Sequence, residues 1–300
     1  MSQQRFIGFS ESGLLNALVH YLTRDLKRTR KFLRCLDFRS AAANRVVADL
    51  AKDLTECTFF VEPGLGEFGI PDVVIVARAG EAERRLVFFV EMKAKSYVDS
   101  AASNRKGFKG RNFGSFVNGQ LSMRYRFART VARWDANATA GLVEPAEVAT
   151  AAAQCLADDF GRSRHLRKPE VLAGIVFAMR PDTREPEAGF LDRVFYAAVT
   201  EDRANPFKAP DTEANRDLWP CYPAGAVGDP FAADAWARTG WCGWPDIETA
   251  LEGLRGDQEY KLALPLSLDP VRAKARRGAA GQETVKGGAT PPRGGRGRVE

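Results

Sequence analysis

The sequence predicts an α/β protein with a mixed central sheet, helices on its faces and extra C-terminal elements. Two runs, residues 70–77 and 86–93, are apolar on both faces, which is typical of central strands. Residues 10–26 and 116–134 carry apolar side chains at helical spacing. With 300 residues, of which 45% are hydrophobic, the chain can bury one large core.

The first half of the chain predicts helices and strands in alternation. A capped amphipathic helix over 10–26 ends in a basic turn at 27–31, and a second helix covers 40–55. A strand at 57–62 and a Gly-rich turn at 63–69 lead into the strand at 70–77. A polar turn then returns the chain into the strand at 86–93. These elements together predict a hairpin at the centre of the sheet.

The second half predicts helices over 116–134 and 144–160, a buried strand at 170–179 and a short helix at 244–254. Residues 181–245 hold eight of the sixteen prolines and four of the five tryptophans, which predicts a loop-rich segment packed on the body. We therefore expect a core over 1–180, an extension over 181–270 and a tail over 271–300.

The net charge of +6 is confined to the tail. Residues 271–300 hold eight basic and two acidic residues, which leaves 36 of each in the rest of the chain. The tail also has seven glycines and no aromatic residue, so we expect it to be disordered. It is either a solubilising tail or a weak, sequence-independent phosphate binder.

Cysteine and histidine usage argues against two classes of protein. Five scattered cysteines indicate reduced thiols in a cytoplasm rather than a disulfide framework. With two histidines and no CxxC pair, a His/Cys metal site is not expected.

The N-terminus lacks a signal-peptide pattern and no run of about 18 apolar residues is present, so neither secretion nor a membrane span is expected.

A basic stretch with interleaved aromatic residues extends from Lys93 to Trp134 and holds ten Lys/Arg against one acid. This pattern indicates either a polyanion-facing surface or a solvated helix face. As a nucleic-acid-binding surface it would use Lys95, Arg105, Lys106, Lys109, Arg111, Arg124 and Tyr125.

The predicted hairpin brings three charged residues to one place. A symmetric turn centred between Glu81 and Ala82 sets Asp72 opposite Glu91, with Lys93 on the same face by the two-residue strand period. Two adjacent carboxylates repel each other unless a cation neutralises them, and Mg²⁺ prefers oxygen ligands of this kind. The alternative is a strand-end salt bridge between Glu91 and Lys93, with Asp72 capping a turn.

Pro71-Asp72 on one strand and Glu91-Met92-Lys93 on the next resemble the motif of the PD-(D/E)XK nuclease superfamily, the restriction-endonuclease-like fold. The resemblance implies an αβββαβ core over about residues 8–180 and Mg²⁺-dependent cutting of nucleic acid, with Mn²⁺ as a possible substitute. By similarity, Asp72 and Glu91 would bind the metal and Lys93 would assist the attack.

Two further features of the family have counterparts here. Many relatives carry a Gln and an aromatic residue on the helix after the motif, and "NGQLSMRYRF" offers Gln120 and Tyr125, five apart rather than the commoner four. Many also carry an acid on the first helix. Glu11 shares the face of that helix with its leucines and is our candidate third metal ligand, with Glu56 and Glu62 as substitutes.

The motif is short, and the chain contains a second formal match in Pro245-Asp246 with Glu259-Tyr260-Lys261. Asp246 is predicted to open a helix, so this copy lacks the hairpin.

We expect a Mg²⁺-dependent endo- or exonuclease, with DNA as the substrate and a dimer if it cuts both strands. The alternatives are a non-catalytic nucleic-acid binder with the same fold, and an interaction protein whose strand ends in an ion pair.

Overall fold

The computed structural model describes residues 11–80, 84–94, 117–137, 141–142, 144–160, 169–180, 190–208 and 235–267. Their helices are α1 (Glu11–Thr23), α2 (Leu26–Cys35), α3 (Ala41–Lys52), α4 (Val117–Asn137), α5 (Pro145–Phe160), α6 (Pro169–Met179), α7 (Trp244–Ala250) and α8 (Gln258–Ser267). Their strands are β1 (Asp37–Phe38), β2 (Leu54–Val61), β3 (Val73–Ala79), β4 (Arg84–Met92), β5 (Val194–Thr200) and β6 (Thr239–Gly243). Within these residues, no helix is long and apolar enough to cross a membrane.

The strands form one mixed six-stranded sheet in the order β1-β6-β5-β4-β3-β2. Strands β2, β3 and β4 form an antiparallel meander, β5 runs parallel to β4, β6 runs parallel to β5, and β1 closes the edge antiparallel to β6. Strands β3 and β4 are apolar on both faces because both faces of the sheet are covered by helices. The predicted mixed α/β architecture is confirmed at this level.

Alternate side chains of β3 and β4 enter two separate cores. Val73 and Phe88 pack with α1, α2, α3, α7 and α8 on one face of the sheet. Val74 and Phe89 pack with α4, α5 and α6 on the other face. The first and fourth helices therefore flank the hairpin, as predicted, and they lie on opposite faces of the sheet.

The predicted strand at 170–179 is wrong, because these residues form α6. Its buried side chains Leu172, Ile175, Val176 and Met179 recur at helical spacing, and Pro169 stands at the start, where proline is tolerated in a helix. The run is so apolar that its period is hard to distinguish from that of a buried strand. The predicted basic turn at 27–31 is also wrong: it lies within α2, whose N-cap Asp25 accepts a hydrogen bond from the Lys27 amide at 2.8 Å.

The sheet extends past the predicted core boundary at residue 180. Strands β5 and β6 come from the segment that the prolines marked as loop-rich, and β5 is the direct neighbour of β4. The polar tail predicted over 271–300 lies outside the described residues.

Candidate functional site

The β3–β4 hairpin has the register that the sequence predicts. Val73 pairs with Val90 and Ala79 pairs with Arg84, so the turn is symmetric about the predicted centre. The same register sets Asp72 opposite Glu91, just beyond the last of these pairs. Asp72, Glu91 and Lys93 thus share the α4 side of the sheet, because they alternate with residues that enter the other core.

Asp72 and Lys93 form the outer part of the site. The Lys93 ammonium lies 3.7 Å from Asp72 Oδ2, and the two side chains are 11% and 24% exposed. Asp72 Oδ2 also accepts a hydrogen bond from the Met92 amide at 2.6 Å, which ties the carboxylate to the end of β4. The pair is therefore held at the rim of the sheet, where solvent reaches it.

The backbone of Lys93 is anchored independently of its side chain. Its amide donates to the Val199 carbonyl at 2.8 Å, and its carbonyl accepts from Trp244 Nε1 at 2.9 Å. Because β5 and α7 thus hold both backbone groups, the ammonium projects from a fixed point at the C-terminal end of β4.

Glu91 and Arg124 form the inner part of the site. Arg124 Nε donates to Glu91 Oε1 at 2.8 Å, and the side chains are 3% and 0% exposed. The Arg124 guanidinium also donates through Nη1 to the Phe68 carbonyl. Arg124 thus supplies the opposite charge that a carboxylate buried in a core requires.

Sequence reasoning missed Arg124 as the partner of Glu91. Arg124 stands on the apolar face of α4 together with Val117, Leu121, Ala128 and Val131, all of them buried. An arginine at such a position must meet an acid, since burying a lone charge is costly. That helical spacing was the available signal.

Two buried oxygen atoms at this site have no hydrogen-bond partner within the described part of the chain. They are Glu91 Oε2 and Gln120 Oε1. Gln120 precedes Arg124 by four residues on α4, so the two side chains lie one above the other on one helix face. Across the described residues, these two buried acceptor oxygens therefore have no hydrogen-bond donor.

The turn before β3 is fixed against α4. Gly69 has φ +80°, a conformation that side chains other than glycine's rarely adopt, and its carbonyl accepts from the Leu65 amide at 2.9 Å. A Cβ at Gly69 would lie 3.4 Å from Arg124 Nη1. Arg124 thereby links the turn that leads to Asp72 with the strand that carries Glu91.

The candidate third acids have different positions. Glu11 is the first residue of α1, and its side chain lies outside what the structure describes. Glu62 has φ +46°, its amide donates to the Asp72 carbonyl at 3.0 Å, and its carboxylate accepts from Ser12 Oγ at 2.9 Å. Glu56 lies on β2 and pairs with Arg78 at 3.3 Å. Across the residues that the structure covers, no group of three or more His, Cys, Asp or Glu side chains is arranged to hold a metal.

The predicted nucleic-acid-binding residues need correction where the structure describes them. Arg124 and Tyr125 are only 2% and 6% exposed, and Tyr125 packs edge-on against Tyr196, so neither presents its side chain to a duplex. Arg126, Arg129 and Arg133 are the exposed basic residues of the same helix. Lys95, Arg105, Lys106, Lys109 and Arg111 lie outside the described residues.

The second formal motif match fails, as predicted. Asp246 stands in the first turn of α7 after Pro245, and Glu259 and Lys261 belong to α8. Of the two copies, the one at Asp72 stands at the end of the hydrogen-bonded strands β3 and β4. No protein-family model, curated protein or solved structure matches the chain.

Proposed function

We propose that this chain is a metal-dependent nuclease that hydrolyses phosphodiester bonds, with DNA as the expected substrate and Mg²⁺ or Mn²⁺ as the metal. The observation that carries the proposal is the hairpin register, which brings Asp72, Glu91 and Lys93 to one face at one end of the sheet. The element order gives further support: α3-β2-β3-β4-α4-α5-α6-β5, with β5 parallel to β4, resembles the αβββαβ plan that the superfamily implies, with two additional helices between α4 and β5.

The carboxylate oxygens of the site are suitable ligands for a hard divalent cation. Asp72 and Glu91 would hold it, and the orphaned Glu91 Oε2 is an oxygen of the type that Mg²⁺ prefers. When bound, the metal would supply a Lewis acid for the phosphoryl oxygen and for the attacking water. Gln120, with its own unpartnered oxygen, would orient a water molecule or the ion's hydration shell.

Lys93 has the position of a charge-stabilising donor. Its side chain is 11% exposed and its ammonium lies beside Asp72, while hydrogen bonds to its amide and to its carbonyl fix the backbone of the residue. There it would stabilise negative charge that develops on the phosphate or hold the nucleophilic water. The exposed arginines of α4 would attract the phosphate backbone without reading its sequence.

One observation favours a second candidate, a non-catalytic nucleic-acid-binding protein with the same fold. Arg124 already neutralises Glu91, and Lys93 already pairs with Asp72, so two acids and two bases balance without a metal. A metal at Glu91 would lie near the Arg124 charge and be repelled by it. Metal binding therefore decides between the two candidates.

Asp72→Asn removes the negative charge of the side chain but keeps its hydrogen bond, because the amide oxygen can still accept from the Met92 amide. If the nuclease proposal holds, this variant loses cleavage and the Mg²⁺-dependent rise in melting temperature but retains nucleic-acid binding. Lys93→Ala should lose cleavage and retain metal binding, since both carboxylates remain. Asp49→Ala and Lys52→Ala, exposed changes on α3, are the matched controls. A parent protein with no Mg²⁺-dependent shift and no cleavage would favour the non-catalytic candidate.

A further inference from the structure

The Arg124 guanidinium holds the position of a cation beside Glu91. Arg124 Nε donates to Glu91 Oε1 at 2.8 Å, and both side chains are almost completely buried. The Phe68 carbonyl anchors the guanidinium a second time by accepting from Nη1. The other carboxylate oxygen, Glu91 Oε2, is also buried and has no hydrogen-bond partner among the residues described. Within that part of the chain, Glu91 therefore has one satisfied oxygen and one that is not.

Glu91 Oε2 is the atom through which Glu91 would bind a divalent cation, because Oε1 already accepts from Arg124. A cation on Oε2 and the guanidinium on Oε1 would then share a single carboxylate. Two positive charges so close together in a buried place, where water and salt screen little, repel each other strongly. Glu91 can hence keep the guanidinium in contact or bind a divalent cation tightly, but it cannot do both.

We propose that Arg124 is an internal counter-ion that regulates the site. It neutralises Glu91 in the resting protein, and its guanidinium has to leave Glu91 before the site can bind a divalent cation tightly. This role also explains why an arginine stands on the apolar face of α4, since a buried carboxylate with no counter-charge would be costly. The inference rests on the proposed function, because it concerns the metal which that function requires.

Gln120 offers the displaced guanidinium another acceptor. Its side-chain oxygen Oε1 is buried and has no hydrogen-bond partner across the residues that the structure covers. Gln120 lies one helical turn before Arg124, and long side chains on a helix point back over the preceding turn. A change of the Arg124 rotamer can therefore move its donors from Glu91 to Gln120 while the backbone of α4 stays in place. The amide oxygen has two lone pairs, so it can accept from the guanidinium and still orient a water molecule.

The outer pair, Asp72 and Lys93, imposes a weaker constraint. Lys93 Nζ lies 3.7 Å from Asp72 Oδ2, and the two side chains are 11% and 24% exposed. An ammonium on a flexible stem near solvent can turn away from its partner more easily than a guanidinium fixed in the core by two acceptors. Arg124, rather than Lys93, accordingly sets the affinity of the site for a metal.

The test measures Mn²⁺ affinity by isothermal titration calorimetry on the purified full-length protein, without nucleic acid. Arg124→Gln removes the charge but keeps an amide that can donate to Glu91, and Arg126→Gln makes the same change on the exposed face of α4. We expect Arg124→Gln to bind Mn²⁺ at least about tenfold more tightly than the parent, because the repelling charge has gone. Arg126→Gln should bind as the parent does, and Asp72→Asn combined with Arg124→Gln should abolish the gain.

The outcomes separate this inference from the nuclease proposal. Equal Mn²⁺ affinities of the parent and Arg124→Gln would overturn the inference and leave the nuclease proposal standing. Absence of Mn²⁺ binding by both proteins would overturn the inference and the proposed metal site together. A gain in affinity by Arg124→Gln, without cleavage of any substrate, would support the inference and count against the nuclease.

A measurement on the parent decides the matter if Arg124→Gln does not fold. The Arg124 Nε–H is buried and hydrogen-bonded, so in nitrogen-15 NMR spectra of the labelled protein its proton should exchange slowly with solvent. Titration with Mg²⁺ should shift this signal and speed its exchange, because the guanidinium leaves Glu91. A signal that keeps its position and its exchange rate throughout the Mg²⁺ titration would overturn the inference.

Discussion

Replacing Arg124 by methionine removes the charge that neutralises Glu91 and keeps an apolar side chain of similar length in the core. The Arg124 and Glu91 side chains are 3% and 0% exposed, and the bond between them is 2.8 Å long. The variant leaves a fully buried carboxylate without its partner, and the Phe68 carbonyl loses its donor as well. Breaking a buried pair in this way costs about 3–5 kcal/mol of unfolding free energy.

Urea denaturation followed by tryptophan fluorescence measures this loss, because Trp134, Trp241 and Trp244 are all buried in the native protein. In a thermal melt, the same change should lower the melting temperature by roughly 6–20 °C. Arg126→Met, two residues along the same helix but exposed, is the matched control and should change stability by less than about 0.5 kcal/mol.

The double variant Glu91→Gln/Arg124→Met should recover most of the loss, because the uncompensated charge has gone. Added Mg²⁺ should raise the melting temperature of Arg124→Met more than that of the parent, if Glu91 can accept a metal in place of the guanidinium. Equal stability of Arg124→Met and Arg126→Met would refute the buried pair and the arrangement of the inner site.

Three further changes test the packing around the sheet. Gly240→Ala should destabilise by about 1–3 kcal/mol in urea melts, because its Cβ would lie 2.6 Å from the Phe38 ring. Trp244→Phe removes the bond to the Lys93 carbonyl and should cost about 1 kcal/mol by the same assay. Between pH 9 and 12 the Cys57 thiol ionises in the unfolded protein but keeps its proton in the folded one. The free energy of unfolding of the parent should therefore fall with rising pH, by about 1.4 kcal/mol per pH unit more than that of Cys57→Ala. Parallel pH profiles for those two proteins would contradict that pKa.

The hairpin was predictable because its signals are local. Two doubly apolar runs of matching length flank a short polar turn, and a symmetric turn fixes which residues face each other. The positions of Asp72, Glu91 and Lys93 on one face follow from that register alone.

The rest of the sheet was not predictable in the same way. Strand β5 is apolar throughout but stands in a proline-rich context, and its place beside β4 is a long-range parallel pairing that no local pattern encodes. Strand β6 contains two glycines and no β-branched residue after Thr239, so it lacks strand propensity. Helix α6 shows the converse error, in which apolar composition concealed a helical period.

Within the site, the sequence accounts for the outer pair better than for the inner one. The nearness of Asp72 and Lys93 follows from the hairpin. The Arg124 bond to Glu91 depends on how α4 packs across the sheet, which is a tertiary property. It changes the electrostatic expectation, because an arginine supplies the neutralising charge that the sequence argument assigned to a metal.

The most direct test of the nuclease proposal is incubation of the purified full-length protein with plasmid DNA, single-stranded DNA and RNA, each with Mg²⁺ or with a chelator, alongside Asp72→Asn. The proposal predicts that the parent cleaves at least the DNA substrates when Mg²⁺ is present, that chelation stops cleavage, and that the variant binds without cutting. Absence of cleavage with every substrate and metal, or equal cleavage by Asp72→Asn, would contradict it.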